Sequence, residues 1–162
     1  MNKLITLLTL VLLITACGSE TSGSRDRQFD IDKTISFNEN EPFNSYTIID
    51  GEQMVFKYNY NHPQDDNIAD DELTEVFVFT IVEGQSSFEF NTDDITITPE
   101  LTLAYARLCF CGFTENFQAI ALSATGTRIN STKWEVKFDV TFKSGEYEFS
   151  LSDEGVYYKS DF

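Results

Sequence analysis

From Trp134 to Lys143 the chain alternates between apolar and polar side chains, one for one. Trp134, Val136, Phe138, Val140 and Phe142 form one set; Glu135, Lys137, Asp139, Thr141 and Lys143 form the other. A period of two is the side-chain period of a β-strand with one buried and one wet face. At the 3.6-residue period of a helix the same apolar residues would scatter around the cylinder. Ser144-Gly145 then reads as a two-residue turn, and Glu146 to Leu151 resumes the alternation, which predicts an antiparallel hairpin. An isolated hairpin is marginal in water, so the rest of the chain must supply more strands.

It does so in the same grammar. Glu52 to Tyr60 puts Met54, Phe56, Tyr58 and Tyr60 on one face. Leu73 to Glu83 sets Val76, Val78 and Val82 against Phe77, Phe79 and Ile81; both faces are apolar, as in a central strand. Gly84-Gln85 turns into Ser87–Phe90, and Asp93-Asp94 into Ile95–Thr98, which Pro99 ends. Ala104 to Phe113 and Phe117 to Ala124 read as two more strands, and Phe29 to Phe37 with Tyr46 to Ile49 as a weaker pair. Asp153-Glu154-Gly155 reads as a turn before a final strand, Val156 to Ser160. Only Leu101 to Leu108 admits a short helical turn. There is no internal repeat and no long amphipathic helix. The expectation is an all-β fold, an antiparallel β-sandwich of roughly nine or ten strands, with a lipocalin-like β-barrel as the alternative. Fifteen Phe and seven Tyr argue for a packed core rather than disorder.

The first seventeen residues are of another kind. Lys3 precedes an apolar run, Leu4 to Ile14, broken only by Thr6 and Thr9. The run is shorter than the ~20 residues a spanning helix needs. It closes on Ile14-Thr15-Ala16-Cys17, a branched residue and two small ones before a cysteine. This resembles the lipobox of bacterial lipoproteins. The resemblance implies that residues 1–16 are a removed signal peptide and that Cys17 carries acyl chains such as palmitate, so that the chain is anchored in the cell envelope. Gly18, rather than Asp, after the cysteine implies the outer membrane, with the face it occupies left open. Gly18 to Ser24 is rich in Gly and Ser, as in a flexible tether. The expected organisation is signal peptide 1–16, acylated cysteine and tether 17–27, and a single domain over 28–162.

The net charge is −16, and loss of Lys3 makes it one unit more negative. Binding to nucleic acid through its phosphates needs clustered Lys and Arg, which are missing, so no nucleic-acid partner is expected. Acidity instead suits solubility at a surface, a basic partner or a divalent cation. The densest acidic run is Asp65-Asp66-Asn67-Ile68-Ala69-Asp70-Asp71-Glu72. Calcium takes six to eight oxygen ligands, and Asp65, Asp66, Asp70 and Asp71 are its candidate ligands here, although the spacing is not that of an EF-hand. No other cofactor is implied.

With Cys17 acylated, Cys109 and Cys111 remain. They read as buried thiols or as a strained disulfide, since residues two apart in a regular strand lie too far apart to bridge without a kink. A thiol-redox or metal site at this pair is a weaker reading. The single histidine, His62, sits in Asn61-His62-Pro63 and reads as an exposed loop residue. No nucleophile-and-base motif, phosphate loop or metalloprotease helix is present, so the catalytic residues are none. Tyr46, Tyr58, Tyr60, Tyr105, Tyr157 and Tyr158 could stack on sugar rings, though in strands they serve mostly as core. Tyr157 and Tyr158 must face opposite ways. The expectation is a lipid-anchored, non-catalytic binding or structural module whose protein or glycan partner the sequence does not name. The alternative from another class is an envelope glycan hydrolase using a carboxylate pair.

Overall fold

The computed structural model of the chain describes residues 23–38, 45–63, 73–92, 101–108 and 117–162. Among them are nine strands and no helix. These are β1 (Ser24–Asn38), β2 (Ser45–Asp50), β3 (Gln53–Asn61), β4 (Thr74–Val82), β5 (Ser87–Thr92), β6 (Leu103–Leu108), β7 (Gln118–Asn130), β8 (Lys133–Ser144) and β9 (Tyr147–Lys159). The alternating segment is β8. Its five apolar residues are all buried, while Glu135, Lys137 and Asp139 are exposed. β8 lies between β7 and β9, antiparallel to both. The β8–β9 turn is Gly145-Glu146, one residue later than the alternation suggested, because Ser144 pairs with Tyr147. Gly145 takes the positive φ of 58° that a tight hairpin turn demands.

The strands run in the order β5-β7-β8-β9-β1-β3-β4-β6, with β2 beside β1. The sheet is continuous but unevenly joined. β1 and β9 are parallel and pair only at Gln28 with Tyr158 and Phe29 with Lys159. On either side of this seam the ladders are antiparallel and long. The sheet therefore curls into a half-barrel whose two halves lie face to face, as an all-β sandwich requires. From one half come Phe56, Tyr58, Phe77 and Phe79; from the other, Phe88, Trp134, Phe138 and Phe142. Their rings meet at centroid distances such as 4.9 Å for Phe77 and Phe138 and 5.5 Å for Phe56 and Trp134.

β4 has the central position that its two apolar faces implied, between β3 and β6. Phe77, Phe79 and Ile81 enter the main core, while Val76 and Val78 join a second cluster with Val55, Ala104 and Ile35. Tyr46 and Ile48 of β2 pack on that second cluster. The expected pairing of Phe29–Phe37 with Tyr46–Ile49 is present in the second half of β1, where Phe37 pairs with Tyr46 and Ile35 with Ile48. The bend that lets this arm fold over the outer face is at an irregularity between Asp30 and Lys33, where Asp32 has φ 57°.

Three expectations are corrected. β1 begins at Ser24, so residues 24–27, assigned to the tether, are strand: Arg25 and Arg27 pair with Tyr60 and Tyr58 of β3. Asp153-Glu154-Gly155 is not a turn, because β9 runs through it without a break. Leu101 to Leu108 also forms extended structure rather than a helical turn. Ile95–Thr98 and the far end of Ala104–Phe113 lie outside the described residues.

At one position a side chain is excluded by close approach. Gly126 of β7 pairs with Phe88 of β5, and a Cβ on Gly126 would strike the Phe88 ring. Phe88 in turn contacts Phe56, Phe79 and Trp134. Gly126→Val should therefore lever Phe88 out of the core and cost about 2 kcal/mol by overpacking, seen as a lower urea midpoint. Val in place of the neighbouring, exposed Thr125 should leave the midpoint within about 0.5 kcal/mol of the parent.

Candidate functional site

Three of the four arginines in the sequence lie on one polar band at the end of the sandwich where β1 starts. The band begins at the seam. Below Gln28 and Phe29, β1 and β9 have no ladder between them, and the gap is a groove of about 490 Å³ lined by residues including Arg25, Arg27, Lys137, Asp139, Asp153 and Glu154. Arg27 crosses it. Its Nε donates to Asp153 Oδ2 at 2.6 Å and its Nη2 to Oδ1 at 2.7 Å, a bidentate fork. The Asp153 side chain is only 3% exposed, so this pairing satisfies a carboxylate that would be costly to bury alone. Gly155 makes the crossing possible: a Cβ there would lie 2.6 Å from Arg27 Nε. Lys137 and Glu154 close a second, exposed pair at 2.9 Å.

Arg25 continues the band. It stands 3.9 Å from Asp153 and lies over the Tyr60 ring, 5.1 Å from its centroid. Tyr60 in turn packs on His62, with centroids 4.5 Å apart. His62 Nε2 is 2.8 Å from Oε2 of Glu75. Oε1 of Glu75 accepts from the Tyr105 hydroxyl at 2.6 Å and from Arg107 Nη2 at 3.2 Å. The Arg107 guanidinium lies against the rings of Phe117 and Phe149, at 5.7 and 5.3 Å. Burial pushes the Glu75 carboxyl up, but the hydrogen bonds from Tyr105, His62 and Arg107 outweigh it and hold the group below the usual carboxylate range. Tyr105 is pushed well above the ordinary phenol range, first by burial and then by its bond to Glu75.

His62 is thus not the solvated loop residue the sequence suggested: it is two-thirds covered and bonded to a buried acid. Glu75 was missed altogether, although one signal was present. By strand parity it shares a face with Phe77, Phe79 and Ile81, and an acid on an apolar face needs partners. Tyr157 and Tyr158 do point opposite ways, the first fully buried and the second 53% exposed. Burial, reinforced by the Asp153 charge, raises Tyr157 far above the usual phenol range. Its hydroxyl and the Trp134 indole N–H are buried and find no hydrogen-bond partner among the described residues.

Cys17, Cys109, Cys111 and the calcium candidates Asp65, Asp66, Asp70 and Asp71 lie outside the described residues. Among the described residues no three His, Cys, Asp or Glu side chains converge in a way that could hold a metal ion. The band's two buried acids are each matched to a guanidinium, and the surface it leaves open is the groove beside Arg25. Comparison with protein-family models, curated proteins and solved structures returned no match.

Proposed function

We propose that this chain is a lipid-anchored module of the bacterial cell envelope, held through acyl chains on Cys17, in the outer membrane, and that it binds rather than catalyses. The observation that carries the reading is Ile14-Thr15-Ala16-Cys17 at the end of an apolar run too short to span a bilayer. Two or more acyl chains give stable anchoring where one does not. The binding half of the reading rests on the groove between β1 and β9, where Arg25 is half exposed and stands 3.9 Å from Asp153, a longer pairing than the fork of Arg27. The acidic balance of the whole chain speaks against a nucleic-acid partner.

Neither buried acid of the band supplies what the glycan-hydrolase alternative requires. Such an enzyme needs one carboxylic acid kept protonated near neutral pH. Glu75 is shifted the opposite way, and Asp153 is locked in a fork with Arg27.

The anchor is tested by intact mass. The full chain expressed in a Gram-negative host should lose residues 1–16, gain the mass of its acyl chains and fractionate with membranes. Cys17→Ser should abolish both the processing and the added mass. A wild-type chain that still begins at Met1 overturns the reading.

A further inference from the structure

The geometry points to a sugar acid as the ligand of the groove where β1 and β9 part: a sugar unit with one carboxylate, held by Arg25, and with its hydroxyls on Asp139, Ser152 and Glu154. This rests on the binding groove proposed above and adds the class of ligand it takes.

Most of the groove's charge is spent internally. Arg27 and Asp153 are joined by the bidentate fork, and Lys137 and Glu154 by the exposed pair at 2.9 Å. Among the described lining residues Arg25 and Asp139 stand outside these pairs, one cation and one anion. Both oxygens of Asp153 already accept from Arg27, and Arg25 stands 3.9 Å from that carboxylate with half of its side chain exposed. Its guanidinium lies over the Tyr60 ring, 5.1 Å from the centroid, which orients the plane before any ligand arrives. A flat guanidinium offers a carboxylate two parallel N–H groups. A phosphate dianion suits the groove less, because Asp139, Asp153 and Glu154 line it too and repel a second negative charge.

The breadth of the groove selects the rest of the ligand. Arg25 is on β1 and Asp139 on β8, with β9 between them. Neighbouring strands lie about 4.8 Å apart, so these two residues stand on backbones about 10 Å apart or more. A free amino acid carries its ammonium beside its carboxylate and does not span that distance. A sugar ring carries hydroxyls all round, and the side chains between suit them. Asp139 and Glu154 accept, Lys137 donates, and Ser152, paired with Asp139 across β8 and β9, does both. All four are exposed. The groove, at about 490 Å³, has the size of a small-molecule site. The chain's overall charge of −16 does not forbid an anion there, since charges more than about 8 Å away are screened at physiological salt.

A second groove, of about 400 Å³, lacks this chemistry. Asp30, Asp32, Asp50 and Asp161 line it against Lys33 and Lys159, and Lys33 is already paired with Asp50 at 2.9 Å. None of its described lining residues is an arginine, and its excess of acid repels a carboxylate.

The test uses the acylated full chain in detergent micelles and saturation-transfer NMR, which reads the ligand's own protons. The probes are methyl β-glucuronide, methyl β-glucoside without the charge, cyclohexanecarboxylate without the hydroxyls, and N-acetylglutamate as an acidic peptide unit. The glucuronide should bind, with each of the others at least about tenfold weaker. Arg25→Lys keeps the charge and loses the planar fork, and should weaken the glucuronide about tenfold. Asp139→Asn, a change at an exposed position, should weaken the glucuronide and leave cyclohexanecarboxylate unchanged, so the test survives an Arg25 variant that fails to fold. Equal binding of the glucoside or of cyclohexanecarboxylate, or glucuronide binding that neither variant moves, overturns the assignment. Arg25-dependent binding of N-acetylglutamate alone overturns the sugar and keeps the groove as a binding site. Transfer to none of the probes overturns the ligand class, while the intact mass of the same sample decides the Cys17 anchor separately.

Discussion

Replacing Phe56 by alanine should cost 3–5 kcal/mol, the range for emptying a well-packed aromatic site. Phe56 has no exposed surface. Its ring meets Phe29 at 5.7 Å, Phe79 at 5.1 Å, Phe88 at 5.6 Å, Trp134 at 5.5 Å and Tyr157 at 5.8 Å. Those partners come from β1, β4, β5, β8 and β9, so this one side chain joins both halves of the curled sheet. The joint matters because the backbone seam between the halves is only two residue pairs long. The neighbouring rings are stiff and fixed by their own strands, so little collapse into the cavity is expected. Domains of this size are stable by roughly 5–15 kcal/mol, and the variant should sit near the edge of folding. Urea unfolding followed by Trp134 fluorescence measures the effect, with Phe37→Ala as the control, since Phe37 is 39% exposed. A Phe56→Ala midpoint no lower than that of Phe37→Ala would remove Phe56 from its central place.

The strand grammar of this chain was legible wherever one face is wholly apolar. β8 declares itself because each inward residue is a hydrophobe, and β4 declares itself as central because hydrophobes dominate both of its faces. The reading failed where an inward position is polar. Asp153-Glu154-Gly155 has the composition of a turn, yet Asp153 lies on the inner face with Leu151 and Tyr157. What keeps it in a strand is Arg27, 126 residues away along the chain. No local pattern contains that partner. The same holds at the start of β1, where Arg25 and Arg27 read as solvated tether until β9 and β3 are set beside them. His62 was misjudged because Asn and Pro flank it, while its partner Glu75 lies across a connection of a dozen residues. In each case the sequence holds a charged residue out of phase with its surroundings. Parity flags the residue, but only the assembled fold supplies the opposite charge.

Glu75→Ala should be the most damaging polar substitution, at about 3 kcal/mol or more, because removing one partner strands the others. Three donors converge on this carboxylate: the Tyr105 hydroxyl, His62 Nε2 and Arg107 Nη2. Arg107 would suffer most. Its side chain is only 18% exposed, its Nε has no partner among the described residues, and Glu75 pairs with it at 3.2 Å. Glu75→Gln keeps an acceptor for Tyr105 and removes the charge, so it should cost less. The pH dependence separates charge from shape. The folded carboxyl lies below its unfolded value of about 4.3, so the stability it contributes is fully present above that pH. It is lost as pH falls through the folded value, where the carboxyl is protonated in both states and resembles the amide. The gap in urea midpoint between the parent and Glu75→Gln should therefore be widest near pH 7 and close as pH falls below about 4. The comparison cancels the many other acids, which titrate alike in both chains. A gap that stays constant between pH 7 and pH 3 would mean that Glu75 holds this end of the sandwich by shape alone, and that its charge does not couple β4 to β6.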